Sequence, residues 1–365
     1  MHRLLQRSST SRGFSIASST TPAARTTRHS SPTLEYKGVP LRFSNPASHE
    51  GTALVNLQGF SYCNAAGGLT KYQSERLAML ARTGHLRALV QIEDGEPVRI
   101  FWNHEDARII RLSRAAKHMV FQAYGVEQGG AGEERRFFAQ QRAQQLARGS
   151  QPVTLRRWIF DGGGARVNSS EKNWLPWRLS NGRMAVLQKT CPDQVVLGCS
   201  PTDGSCKLLY RHARLAACPP RLRDGNSSHG TMLHGSAPPI HVGWLGPGVM
   251  LGAIHVRKKP LQLPFAYPEY DHAFFLMNAT PPFQILSFSP WFRFPPLFGN
   301  ALDRVQFASS LEDRGDAVTI SYGVADCSAM QTTVAYSSLF DERDTTTPGP
   351  RISRDAHRVR GSAHT

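Results

Sequence analysis

Apolar residues along the chain fall in short runs that alternate with polar ones, and Gly, Pro, Asn or Asp punctuates nearly every gap. That period-two pattern, rich in β-branched and aromatic residues, predicts strands rather than helices. Strands are expected at 53–60, 86–92, 108–112, 119–124, 155–160, 184–188, 194–197 and 207–210. The series continues at 239–244, 249–256, 273–277, 283–288, 305–309 and 318–322. The segment 133–148 (EERRFFAQQRAQQLAR) reads differently: it is acidic at its start and basic at its end, as a helix dipole favours. A short helical insertion is expected there.

A longer period overlies the strands. HEDARIIRLSRAAKHMVFQAY, EKNWLPWRLSNGRMAVLQKTC, HGSAPPIHVGWLGPGVMLGAIHV and DRVQFASSLEDRGDAVTISYGV share one plan: a polar motif, a strand, a turn and a more apolar strand. They start at His104, Glu171, His234 and Asp303, and 54–92 supplies a further unit. Repetition at such intervals is the signature of propeller blades, which cannot bury both faces alone and so stack around an axis. The expected fold is all-β: a five-bladed β-propeller over 34–340 between a disordered or targeting tail (1–33) and a disordered basic tail (341–365). A β-sandwich of similar strand spacing is the alternative. In a propeller, residues at the starts of the repeats converge on the central channel.

Composition narrows the function classes. Lys and Arg number 43 against 27 Asp and Glu, for a formal net charge of +16 and an isoelectric point near 10.1. This excess suits an anionic partner such as a sugar phosphate. Much of it lies in the tails, with arginines and no acid before Glu35 and four more arginines in 351–360. Neither tail interleaves arginine with aromatics, so nucleic acid is not the expected partner. No apolar run approaches the roughly 18 residues of a membrane span, and nothing in the sequence specifies an oligomeric state. The Arg- and Ser-rich, acid-free start resembles an organellar transit peptide, with a plain disordered tail as the alternative. Sequons at Asn168, Asn226 and Asn278 would matter in the secretory pathway. Localisation therefore reads as organellar or secretory. Of the six cysteines, Cys191, Cys199, Cys206 and Cys218 lie close together without a C-x-x-C pair, which argues against structural zinc. Free thiols are expected, with one disulfide among those four as the alternative.

Several motifs have the chemistry of a polar site. Glu105 and Asp106 beside Arg108 place two carboxyls next to a cation, an arrangement that can separate their protonation states as glycosyl transfer requires. A solvated turn is the alternative. Lys172, Asn173 and Trp174 offer charge, amide and indole to a sugar, unless Trp174 and Trp177 simply fill the core. His255 and Arg257 suit phosphate, and His272, in Tyr270-Asp271-His272, extends that set or is structural. Asp326 follows the strand ending in Gly323, a glycine that suggests a bend or a close backbone approach. Cys327 beside it reads as packing. P-loop, Rossmann, H-E-x-x-H and G-x-S-x-G patterns are absent, as is D-x-D in a site, so no cofactor and no obligatory metal are expected.

Taken in order, these motifs resemble the five-bladed propellers of the β-mannoside phosphorylases and related β-mannosyltransferases. HEDAR is similar to that family's E-D-P-R, and EKNWLPW to its K-N-W-x-P-F. GSAPPIHVGWLGPGVMLGAIHVR resembles its G-x-T-P-x segment, and YDHAFFLMNATPPFQILSFSPWFRF its Y-x-H-x-F and P-P-F-x-I runs. RVQFASSL with ISYGVADCSA resembles its closing I-x-F-x-x-G-L and Y-G-x-x-D pair, so the likeness spans 54–339. The resemblance implies a glycosyl-transferring enzyme, acting on mannosides as a transferase, phosphorylase or hydrolase; a non-catalytic sugar-binding propeller is the alternative. It implies Asp106 as general acid supported by Glu105, and Asp326 fixing the donor sugar. Arg108, Lys172, Asn173, His255 and His272 would bind phosphate or hydroxyls. Three positions depart from the family pattern: Ala107 stands for its Pro, Asp193 for a His, and Ser309-Ser310 for a small-Gly pair.

Overall fold

In the computed structural model, β-strands make up nearly all the regular structure. The structure describes 173–200, 205–219, 231–258 and 268–339 and, before them, the strands lying between Arg25 and Phe160. Strand β1 is Arg25–Arg28. The first sheet runs in sequence order through β2 (Leu34–Tyr36), β3 (Val39–His49), β4 (Thr52–Gln58), β5 (Arg87–Glu93) and β6 (Glu96–Trp102). The second consists of β7 (His104–Arg111), β8 (Met119–Gln128), β9 (Glu134–Ala143) and β10 (Thr154–Arg157). The third takes β11 (Ile159–Phe160) as its outer strand, after β12 (Leu175–Arg178), β13 (Met184–Lys189), β14 (Gln194–Cys199) and β15 (Ser205–His212).

The fourth sheet is built from β16 (Thr231–Gly235), β17 (Ile240–His241), β18 (Val249–Lys258), β19 (Glu269–Asn278) and β20 (Ile285–Phe288). The fifth holds β21 (Gln306–Asp313), β22 (Ala317–Val324) and β23 (Ser328–Ala335), and β1 joins it antiparallel to β23. Among the described strands every pairing is antiparallel except that of β11 with β15.

Each predicted strand overlaps an observed one, although 239–244 keeps only the two-residue β17 before a 3-10 turn at Gly243–Leu245, and other expectations change. The segment 133–148 was expected to be helical; its residues 134–143 instead form β9, paired along its length with β8 and then with β10. Helix propensity is a weak local preference, and the hydrogen bonds of two neighbouring strands outweigh it. Arg25–Arg28, expected in the N-terminal tail, is strand β1. The remainder of 1–24 and the tail 341–365 lie outside the described residues, as do Asn168 and Asn226.

The core lies between successive sheets. Ala47, Leu54 and Leu89 of the first sheet pack on Ala107 of the second, and Ile110 packs on Trp174, Val186 and Leu197 of the third. Leu175, Leu187 and Val196 meet Ile254, Phe275 and Met277 of the fourth. Leu251 and Phe274 on its other face meet Ile320 and Tyr322 of the fifth. Strands β18 and β19 are covered on both faces, which is why VMLGAIHV and HAFFLM read as continuous rather than alternating apolar runs. The fifth sheet also contacts the first, since β3 lies against β21, β22 and β23.

The free-thiol expectation is also corrected. Cys191 bonds Cys218 and Cys199 bonds Cys206, with Cα separations of 5.8 and 4.2 Å. Cys327 is disulfide-bonded too, and no described cysteine is free. The β14–β15 register sets Cys199 directly opposite Cys206, a pairing that spacing alone does not reveal. Among the described residues no helix is long and apolar enough to cross a membrane.

Candidate functional site

Bulges in β3 and β7 and the turn between β22 and β23 bring Asn45, Asp106 and Asp326 together. The β3–β4 register shifts between Ser44 and Ala47, and the β7–β8 register between Glu105 and Arg108, so Asn45 and Asp106 sit in bulges. Asn45, Asp106, Asn173 and Asp326 have φ of 46°, 54°, 72° and 51°. Left-handed backbone is uncommon outside glycine, best tolerated by Asn and Asp, and concentrated at functional sites.

Asp106 and Asp326, 220 positions apart in the chain, meet through one side chain that the sequence reading missed. Asn45 Nδ2 donates to Asp106 Oδ1 and to Asp326 Oδ1, at 3.3 Å each. Asn56 holds Asp106 from the other side: its Nδ2 donates to Asp106 Oδ1 at 3.0 Å, and its Oδ1 accepts from the Asp106 N–H at 2.9 Å. Asn56 thus clamps Asp106 at two points, beside the Ala107 that stands for the family's Pro. Ala107 itself is fully buried against Leu54 and Leu89.

Arg108 lies beneath this pair, only 1% exposed. Its Nη1 donates to the carbonyls of Asp106 and Ala107 at 2.9 and 3.0 Å, and its guanidinium sits 4.9 Å from the centre of the Phe307 ring. Burial pulls its pKa down to about 10, opposed by the Asp106 charge. Its Nε and Nη2 are buried and make no hydrogen bond among the described residues. The other edge of Phe307 meets His255, ring centre to ring centre 5.2 Å. His234, His255 and His272 are register partners on β16, β18 and β19, forming one row across the fourth sheet. Arg257 and its partner Tyr270 lie one step along on the same face, and the Arg257 Nε is buried without a hydrogen-bond partner among the described residues.

His272 is in this row but has a structural job. It is fully buried, its Nε2 accepts from the Ala308 N–H at 3.4 Å, and the rings of Phe292 and Phe294 cover it. Burial drops its pKa from 6.5 to about 3; the Asp271 charge opposes this and Arg293 reinforces it. A neutral imidazole brings no charge to an anion. In the unfolded chain His272 takes up a proton near pH 6.5, whereas the folded protein resists this down to about pH 3. Its contribution to stability is therefore complete above pH 6.5 and is lost as pH falls through that window. In chemical denaturation between pH 7 and 4, His272→Gln should flatten the acid-side loss of stability relative to wild type; equal slopes would contradict this.

Other expected residues are placed apart or not at all. Trp174 is 1% exposed and packs on Ile110, Met184 and Val186, so its indole fills the core instead of offering a face to a sugar. Asn173, just before it, keeps a buried Oδ1 with no hydrogen-bond partner among the described residues. Lys172 and the Glu105 side chain lie outside the described residues; the Glu105 backbone pairs with Tyr124. Lys258 turns to Asp271 in an ion-pair network with Arg293 and Glu269. Asp193 is tied to Arg211 and the Arg214 N–H at a turn, bonds that hold its carboxyl below the usual range. Asp303 organises its own loop, accepting from the backbone of Leu297, Phe298 and Gly299. Ser309 and Ser310 join the fifth sheet to the first, Ser309 Oγ donating to the Pro46 carbonyl and Ser310 Oγ accepting from the Ser48 N–H. Gly323 makes the close approach expected of it, since a Cβ there would overlap Asn45 Oδ1. Among the described residues no group of three or more His, Cys, Asp or Glu is arranged to hold a metal.

No family model and no curated protein matches the chain. Among solved structures it is similar to the β-1,2-mannobiose phosphorylase from Listeria innocua, solved with β-1,2-mannobiose, at 16% identity over 83% of this chain and 92% of that one, with a TM-score of 0.51. A mannose phosphorylase from Leishmania mexicana, solved with phosphate ion, aligns at 12% identity over 85% of this chain and 89% of that one, with a TM-score of 0.49. The fold of this chain is thus similar to that of a mannoside phosphorylase, the class of enzymes its motifs resemble.

Proposed function

We propose that the chain is a carbohydrate-active enzyme on a five-bladed propeller, transferring a mannosyl group between a sugar and phosphate or a second sugar. Five successive four- or five-stranded sheets, the last in contact with the first and completed by the N-terminal β1, support the propeller reading. The observation behind the site is the junction of Asp106, Asn45 and Asp326, drawn from three sheets onto one amide.

In this reading Asp326 holds the donor sugar. Asp106, as the carboxylic acid, protonates the oxygen leaving C1 while the acceptor oxygen bonds C1 and passes its own proton to solvent. Arg108, with two buried nitrogens that make no hydrogen bond among the described residues, takes the anionic oxygens of a phosphate, and Arg257, His255, Asn173 and Lys172 supply further donors to phosphate or hydroxyls. Glu105 supports the acid. That the Listeria innocua enzyme holds β-1,2-mannobiose favours a β-mannoside here.

The test is turnover with mannose-1-phosphate and GDP-mannose in parallel, each with mannose as acceptor. Disaccharide formed from one donor, with release of phosphate or GDP, is expected. Sugar binding without transfer from either donor would replace the enzyme with a non-catalytic sugar-binding propeller.

A further inference from the structure

Asn45 lies in the β3 bulge between the two carboxylates, and its surroundings are built for one orientation of its amide. The two N–H bonds point to acceptors on different sheets, and both contacts, 3.3 Å, are at the long end for such bonds. The amide spans the gap without closing on either side. Turned the other way, its oxygen would face two carboxylate acceptors, so only the observed orientation is stable. That orientation has a cost: Asn45 Oδ1 is buried with no hydrogen-bond partner among the described residues, and unpaired buried acceptors are rare and destabilising.

Room for that oxygen exists because position 323 has no side chain. A Cβ on Gly323 would overlap Asn45 Oδ1 and lie 2.7 Å from the Asn45 nitrogen and 2.9 Å from its Cγ. Left-handed backbone at Asn45, Asp106 and Asp326 adds to the same local cost. An orphaned acceptor, strained backbone and a glycine-only neighbour all meet at one amide that does nothing for the core.

We propose that Asn45 is the positioning residue of the site and that Gly323 sets its orientation. The amide is a spacer between the proton-donating carboxyl of Asp106 and the sugar-holding carboxyl of Asp326, and it aligns the bond to be broken with the acid. This rests on the reaction assigned above. Misplacement of reacting groups by about 1 Å costs on the order of 10²-fold in rate, whereas Asp106 keeps its bonds to Asn56 without Asn45.

The experiment compares wild type, Asn45→Ala, Asn45→Asp, Gly323→Ala and the Asn45→Ala/Gly323→Ala double variant. Near-ultraviolet circular dichroism confirms the fold of each. Turnover is measured with mannose-1-phosphate and mannose, or with GDP-mannose if that is the active donor, and donor affinity is measured separately by calorimetry. The expected result is a fall in kcat of about 10²-fold in every variant, with donor affinity within a few-fold of wild type and the double variant no worse than Asn45→Ala. A kcat for folded Asn45→Ala or Asn45→Asp within three-fold of wild type, or a loss confined to KM, would overturn the positioning role. Additive losses in the double variant would overturn the link to Gly323. A wild type inert toward both donors shows instead, before any variant is compared, that the reaction assignment has failed and the spacer role with it.

Discussion

Asp106→Asn is expected to lower turnover by about 10³-fold, the scale of losing a general acid, while the protein still folds and binds sugar. The substitution is nearly isosteric. The side-chain oxygen that accepts from Asn45 and Asn56 is kept, and so is the backbone N–H that donates to Asn56. What disappears is the transferable proton. Steady-state turnover with the active donor, measured beside thermal unfolding, checks this. Unchanged turnover would remove Asp106 from the chemistry, and a collapse of folding would mean that its charge is structural.

The second large effect concerns Arg108. Inorganic phosphate at 100 times its dissociation constant should stabilise wild type by about 2.7 kcal/mol, several degrees of melting temperature. Arg108→Met should abolish that shift. Burial already depresses the pKa of this guanidinium to about 10, and two of its nitrogens make no bond among the described residues. A phosphate dianion would satisfy both with charge-assisted bonds. Replacing a buried charge by an apolar chain of similar length can leave the unliganded protein as stable as before or more so. A ligand-site Arg108 therefore shows itself in the phosphate-dependent part of the melting temperature. An equal phosphate shift in both proteins, read by differential scanning calorimetry, would place the anion elsewhere.

Much of the fold was legible because strands covered on one or both faces print their burial directly as alternating or continuous apolar runs. Strands β18, β19 and β22 show this. The helix expected at 133–148 shows the limit: charge order and composition describe a segment in isolation, while β9 owes its conformation to β8 and β10. The disulfides were misread for a related reason, since Cys199 and Cys206 become partners only through the β14–β15 register.

Within the site, Asp106, Arg108, His255 and Asp326 stood out as polar residues beside predicted strands, and Gly323 as a glycine that suggests a bend or a close backbone approach. Asn45 did not. In VPLRFSNPASH the Ser-Asn-Pro triplet reads as a turn, and it conceals the alternation of Val39, Leu41 and Phe43 that marks β3. Trp174 illustrates the opposite error, because an aromatic beside polar residues looks the same in sequence whether it faces a ligand or the core.

The most direct test of the account is the crystal structure of Asp106→Asn with mannose-1-phosphate bound. The sugar should lie between position 106 and Asp326, with its phosphate on Arg108. A sugar bound away from Asp326, or a phosphate held without Arg108, would contradict it.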